Sequence, residues 1–298
     1  MRLCFPWHLS NLLAHESGTS LTINQTSREL SVSILARMIY TLCIYAVSAA
    51  VFIVYMRILF YFTILHEFPR QTGNSSLLKM NPGLSVVPNP SVFTSLVHIR
   101  TSDPVSNSFM VDEMAAFLSH YQMHIAQGKF ATCEDTPGFL DTRRSCRFNL
   151  DASGPCNLKS GFGYFRGRPC FAIKLNRIYG WLPDPVGNIS GVRLRCEGMT
   201  QADEVYLGRV CYYDMDSLKR HKPNSMDADW CDREYGVFDS MFYPFLNQAN
   251  YQAPIVFVQF ISPKRYVIIW IKCYAVAKNI HVNVEQNEGS VVFQMLLD

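Results

Sequence analysis

The sequence predicts a single-pass type II membrane protein, one transmembrane helix followed by an antiparallel β-sandwich. Three observations carry that class. Residues 38–65 form an apolar run broken by one charge, Arg57, and about twenty apolar residues suffice to cross a bilayer. Eight of the ten cysteines follow that run, and an even set in one region points to disulfides and an oxidising compartment. From Cys133 onward, short alternating apolar segments bounded by Gly, Pro and Ser predict strands.

The elements follow in chain order. Residues 1–37 are expected to form a cytoplasmic tail and 38–65 the transmembrane helix. The run is too long and starts too late for a cleaved signal peptide, and too long and uniformly apolar for a buried core helix. Arg2, Arg28 and Arg37 precede it, while Arg70 and Lys79 follow, a weak charge bias for orientation. The cysteines decide better, and the sequons Asn74-Ser-Ser and Asn188-Ile-Ser agree with them. They predict an extracellular C-terminus at the plasma membrane, with Asn188 and Asn74 as glycosylation sites. Asn24-Gln-Thr would then lie in the cytosol, and the proline in Asn89-Pro-Ser excludes that sequon. The net charge of +3 comes without a Lys/Arg block, which excludes nucleic acid as a partner and leaves the lipid bilayer.

Residues 66–105, rich in Pro, Asn and Ser, predict an extended extracellular stalk, because proline and its predecessor resist helix. Residues 106–298 are expected to form the disulfide-bonded β-sandwich, with a helix at about 106–127. In that helix Met110, Met114, Phe117, Leu118, Tyr121 and Ile125 recur at helical spacing. Ser106 or Ser108 is placed as its cap, with Asp112 and Glu113 in its first turns and Gly128 at its end. Phe171, Ile173 and Leu175 alternate with Ala172, Lys174 and Asn176 as a strand. Residues 254–261 and 265–275 read as a second pair, joined by Ser262-Pro263-Lys264 as a hairpin turn.

The stretch GYFRGRPCFAIKLNRIYGWLP, Gly163 to Pro183, closely resembles a run in the beta subunits of the sodium/potassium and hydrogen/potassium P-type pumps. The shared positions are Gly163-Tyr164, Gly167, Pro169-Cys170, Lys174, Asn176-Arg177-Ile178, Gly180 and Pro183. The resemblance continues along most of the chain, through Pro82-Gly83-Leu84, Asp103-Pro104, Phe117-Leu118-x-x-Tyr121, Cys146-Arg147-Phe148 and Ile271-Lys272-Cys273-Tyr274. It implies an immunoglobulin-like antiparallel sandwich with an inserted helix. Eight cysteines by themselves leave 105 pairings open; the resemblance implies Cys133–Cys146, Cys156–Cys170 and Cys196–Cys273. Cys211 and Cys231 are additional to the family pattern and remain as a fourth pair. It further implies a non-catalytic subunit, without cofactor, that binds a P-type ATPase catalytic alpha subunit. Such a subunit assists its partner's folding, membrane delivery and sodium/potassium transport. The pattern is broken in three places, the first being the tail MRLCFPWHLSNLLAHES, which does not resemble the family's usual basic tail. The family's Tyr-Tyr-Pro-Tyr-Tyr run reads Phe242-Tyr243-Pro244-Phe245-Leu246, and near the start of the span only Tyr45 of an aromatic pattern remains.

Partner-binding positions are accordingly Tyr45, Ser48, Ala49 and Arg57 in the span, with Tyr243 and Pro244 beyond it. Small residues let helices approach closely, while a charge inside a bilayer either snorkels to the head groups or faces a polar partner. Two other function classes stand beside this one. A pump-independent adhesion or interaction protein would use the same sandwich. A type II Golgi glycosyltransferase would use Asp214-Met-Asp216 as an Asp-x-Asp metal site, but Asp227-Ala-Asp229 repeats that pattern nearby and no alternating strand–helix nucleotide domain is evident. His120 and His124 are spaced as a metal pair, yet Tyr121 stands where a zinc protease would need Glu. Arg166, Arg168, Lys174 and Arg177 are candidates for an anion cleft, against the simpler reading that they face solvent or backbone groups.

Overall fold

The computed structural model describes residues 22–63, 69, 71–76, 80–89, 94–123, 130, 133, 145–220 and 231–298, with only the backbone over 22–32. Contacts divide the chain into two units, Met1–Leu65 and His66–Asp298. In the first, helix α1 spans Thr22–Thr63. Its stretch suited to crossing a membrane is Ser33–Phe62, 30 residues, or about 45 Å at 1.5 Å per residue, more than the roughly 30 Å a hydrocarbon core requires. The side chains of that stretch are exposed apart from half-buried Met56, as expected of a helix whose apolar surface surrounds it on every side.

The second unit contains two sheets among the described residues. The four-stranded sheet has the order β1-β3-β7-β5, from Leu84–Val87, Cys170–Leu175, Ile255–Ile261 and Arg209–Tyr213. The five-stranded sheet has the order β2-β9-β8-β4-β6, from Leu96–Ile99, Ser290–Leu297, Ile268–Val276, Gly191–Gly198 and Gly236–Asp239. All pairings are antiparallel except β2 with β9. The inner faces meet in one core. Phe171 of β3 lies 4.9 Å from Phe293 of β9, ring centre to ring centre, and 5.6 Å from Phe260 of β7. Tyr212 of β5 accepts a hydrogen bond across the core from the Cys196 amide at 2.8 Å.

Each strand's composition follows from what covers it. On β8 the inward Ile269, Ile271, Cys273 and Ala275 are buried, and the residues between them face outward, the period of two of a half-covered sheet. β7 is buried along its whole length, so its sequence IVFVQFI shows no alternation. Helix α2, Pro104–Met123, packs on β1 and on the turns of residues 158–166 at the outside of this sheet, with Met110, Met114, Leu118 and Tyr121 buried. The Tyr121 hydroxyl donates to the Ala253 carbonyl at 2.9 Å. The described residues also include two short α-helices, α3 over Gln201–Leu207 and α4 over Met215–Arg220.

Three sequence expectations need correction. The segment expected as a stalk contributes β1 and β2, and both lie at sheet edges. Prolines 82, 88 and 90 flank β1, and edges are where proline is tolerated because no neighbour needs its missing amide. The cap of α2 is Asp103 rather than a serine, since its carboxylate accepts from the amides of Val105 and Ser106 at 3.0 and 3.4 Å. Pro104 then takes the first helical position, where no donor is required. Finally, β7 and β8 do not form a hairpin. Both edges of β7 are occupied by β3 and β5, so the chain crosses to the other sheet through residues 262–267. In that crossing the Lys264 amide donates to the Tyr206 carbonyl and the Tyr266 amide to the Leu297 carbonyl.

Four disulfides are present: Cys133–Cys146, Cys156–Cys170, Cys196–Cys273 and Cys211–Cys231. Cys196 and Cys273 sit opposite one another on β4 and β8. None of the four joins the two sheets, so the sheets are held face to face by core packing.

Candidate partner-docking site

The positions singled out on α1 do not share one face. At 3.6 residues per turn, Tyr45, Ser48, Ala49 and Phe52 form one stripe, while Arg57 lies roughly 120° around the axis from Tyr45, in line with Ala46, Ala50 and Ile53. All of these side chains are exposed. Arg37 and Arg57 bracket an uncharged stretch of α1. Their twenty-residue offset puts them about 30 Å apart along the axis, the thickness of a hydrocarbon core. In a bilayer of that thickness the two guanidinium groups would lie at opposite interfaces.

In the second unit, Tyr243 and Pro244 belong to an aromatic strap running from Phe242 to Tyr251. Its inner end is fixed by burial. Phe242 lies against Phe148 at 6.0 Å and Phe148 against Tyr121 at 5.8 Å. Gln252, fully buried, clamps the same region by accepting from the Phe148 amide at 2.9 Å and donating to the Tyr121 carbonyl at 3.0 Å. Tyr243 stands edge-on to Trp181 at 5.4 Å. Its hydroxyl is buried without a hydrogen-bond partner among the described residues, and that burial drives the phenol pKa well above its ordinary value. Gln248 closes the turn, donating to the Pro244 carbonyl and accepting from the Leu246 amide, each at 2.9 Å.

The outer end of the strap is held by Arg177. Its guanidinium carbon lies 5.5 Å from the Phe245 ring centre and 5.2 Å from that of Tyr251, while those two rings lie 4.9 Å apart. The Gly180 amide adds a 2.9 Å bond to the Phe245 carbonyl. The Asn-Arg-Ile-x-Gly end of the stretch that resembles the pump beta subunits therefore shapes the strap. This connection was missed in the sequence because Arg177 and Phe245 lie 68 positions apart.

The same contacts dissolve the anion cleft considered from sequence. Arg177 caps two rings, and Lys174 sits 5.1 Å over Phe117, where burial and the nearby Arg177 charge lower its pKa. The Asp-x-Asp pair is likewise structural. Asp214 is buried and accepts from the Ser217 and Val237 amides at 2.8 and 2.9 Å, and Asp216 pairs with Arg220 at 3.1 Å. His124, Asp227 and Asp229 lie outside the described residues. Asn188 is exposed on a turn, while the Asn74 side chain also falls outside the description.

Comparison with known proteins finds relatives along most of the chain. The family model described as the sodium/potassium ATPase beta chain matches residues 28–293. The chain is 30% identical over 265 residues to the sodium/potassium-transporting ATPase subunit beta-1 of Drosophila melanogaster, covering 85% of this chain and 82% of that protein. It is 25% identical over 292 residues to subunit beta-2 of the same fly, covering 87% and 84%. With the probable subunit beta-3 of Caenorhabditis briggsae it shares 27% over 253 residues, covering 78% and 71%.

Proposed function

The chain belongs to the sodium/potassium ATPase beta-chain family, and from that premise we propose that its two candidate surfaces dock a catalytic alpha subunit. The chain is the non-catalytic member of such a pump. In this reading it assists the alpha subunit's folding, its delivery to the plasma membrane and the transport of sodium and potassium. The observation that carries the proposal is the family match over residues 28–293, which takes in both the helix and the strap. The adhesion and transferase alternatives are not favoured.

On α1 the stripe of Tyr45, Ser48, Ala49 and Phe52 presents two small residues between two aromatic rings. A partner helix can approach the small residues closely and pack against the rings. Arg57, at one end of the span and on a neighbouring face, anchors depth. In the second unit, Tyr243 and Pro244 are presented by a strap that is already ordered by Arg177, Trp181 and Gln252. A preordered surface binds with less loss of conformational freedom than a flexible one.

The finer architecture is part of the same proposal. The two facing sheets with α2 packed outside them support an immunoglobulin-like sandwich with an inserted helix, although no disulfide crosses between the sheets. The four disulfides and the exposed Asn188 sequon support a type II orientation, with residues beyond the helix outside the cell. Asn188 and Asn74 are the proposed glycan sites.

Coexpression with a sodium/potassium pump alpha subunit tests the assignment. The chain is expected to co-purify with it in mild detergent, and Ser48→Phe with Ala49→Phe to reduce the yield at least fivefold. Absence of any alpha subunit with the wild-type chain refutes the proposal. Glycosidase treatment tests the orientation: a mobility shift lost in Asn188→Gln is expected, and an unmodified Asn188 in correctly inserted protein refutes it.

A further inference from the structure

Helix α2 and the turns of residues 150–153 and 158–166 frame a cavity of about 600 Å³, within the roughly 300–1,000 Å³ range of small-molecule sites. Its apolar wall comes from Ala115 and Leu118 of α2 with Leu150 and Phe162. Leu118 and Phe162 are buried. Phe162 takes φ +52°, between Gly161 at +59° and Gly163 at +75°. A bulky side chain is uncommon in that left-handed region, and backbone held there clusters at ligand clamps and active sites. The turn is pinned where the Phe162 amide donates to the Asn157 carbonyl at 3.1 Å.

Polar groups of three kinds line the same cavity: Ser153, Asp151 and Lys159. Ser153 is only 6% exposed, yet its hydroxyl makes no hydrogen bond among the described residues. A buried hydroxyl without a partner carries a desolvation cost, which a ligand atom entering the cavity would remove. Asp151 and Lys159 are exposed. Neither forms an ion pair among the described residues, with the other or with any third group, so the carboxylate and the ammonium both remain open to a counter-charge. Asn157 and exposed Gln122 also line the cavity, but Asn157 is engaged within its own turn. Its side-chain amide donates to the Gly154 carbonyl at 2.9 Å, and its oxygen accepts from the Ser160 amide at 3.0 Å.

We propose that this cavity binds a small apolar α-amino acid as its zwitterion. Asp151 meets the ammonium, Lys159 meets the carboxylate, and the Ser153 hydroxyl bonds to either. The apolar side chain lies against Leu118, Leu150 and Phe162. A purely apolar occupant would leave the Ser153 hydroxyl unmatched. A simple anion would set its charge beside Asp151, and a simple cation beside Lys159, where like charges repel. A molecule with both charges on one carbon and an apolar body answers all three groups. Depth selects a small molecule over a flat protein contact, because a residue as buried as Ser153 is reached only from inside the cavity. The site shares no residue with the stripe on α1 or with the strap, so it goes beyond the pump assignment.

The test titrates L-phenylalanine onto the full chain in phosphatidylcholine nanodiscs, read by saturation-transfer NMR with empty nanodiscs as the blank. Saturable binding is expected. It should be at least tenfold tighter than that of phenethylamine, which lacks the carboxylate, and of 3-phenylpropionate, which lacks the ammonium. Asp151→Asn should weaken phenylalanine at least tenfold without weakening 3-phenylpropionate. Lys159→Gln should weaken phenylalanine as much without weakening phenethylamine, and Ser153→Ala should weaken phenylalanine at least threefold. Both charged positions are exposed and unpaired, so Asp151→Asn and Lys159→Gln should keep the wild-type unfolding midpoint. No saturable binding above the blank, equal binding of either analogue, or phenylalanine binding unchanged in any of the three variants overturns the proposal. So does loss of a coexpressed catalytic subunit from the two charge variants, which would assign the cavity to the pump interface. Phenylalanine binding is read without that subunit, so failure of the pump assignment is told apart from failure of this one.

Discussion

Replacing Arg177 with methionine removes the guanidinium from the Phe245 and Tyr251 rings while keeping a long apolar stem in place. The contact distances of 5.5 and 5.2 Å lie within cation–π range, and at an exposed residue such as Arg177 each contact contributes about 0.5–1 kcal/mol. The two together contribute about 1–2 kcal/mol. Urea unfolding of the full chain in detergent under oxidising conditions measures this, with tryptophan fluorescence reporting because Trp181 packs against Tyr243. Phe245→Leu and Tyr251→Leu, each combined with Arg177→Met, should give coupling energies of about 0.5–1 kcal/mol. Phe242→Leu, whose ring packs on Phe148 instead, is the control and should couple by less than about 0.3 kcal/mol. Co-purified alpha subunit should fall by about five- to thirtyfold if the strap's order is fully coupled to docking, the factor that 1–2 kcal/mol represents. Coupling to Phe245 and Tyr251 no larger than the control would refute the claim that Arg177 orders the strap.

Gly163 has φ +75°, and a Cβ there would lie 2.0 Å from the Arg168 carbonyl oxygen. Gly163→Ala should therefore block accumulation of folded chain, whereas Gly180→Ala, at φ +70° with open space around it, should cost only about 1–2 kcal/mol in the same unfolding assay. Replacing Cys211 and Cys231 together by serine releases a cross-link with a sequence separation of 20, and chain entropy then predicts a loss of about 3 kcal/mol. Burial raises the Asp214 carboxyl from 3.8 to about 6, opposed in part by the Ser217 and Val237 amides. The folded state therefore holds this proton more tightly than the unfolded chain. That stabilisation is complete below about pH 4 and is lost as pH rises through about 6, roughly 3 kcal/mol in all. Asp214→Asn should flatten this part of the stability–pH profile, which denaturant titrations between about pH 4 and 7 would show.

Local properties were readable from the chain itself. The span announces itself because a bilayer demands an unbroken apolar run, and α2 because one face must be apolar every three or four residues. β8 reads clearly because only one of its faces is covered. β7 was recognised as a strand, but its uniform apolar pattern says nothing about which strands flank it. The hairpin expected between β7 and β8 therefore failed, since short connection and strand signals cannot reveal that both edges of β7 are already paired.

Sequence by itself determined the long apolar helix, α2, the strands β3, β7 and β8 and, through the stretch from Gly163 to Pro183, the family resemblance. Each depends on neighbours a few positions apart. Only the tertiary structure decided that proline-flanked β1 closes a sheet edge, that Arg177 grips rings almost seventy positions away, and that Trp270 stays exposed on the outer face of β8. Those outcomes depend on which distant surfaces are covered, and burial and charge pairing belong to the assembled fold rather than to any local run of residues.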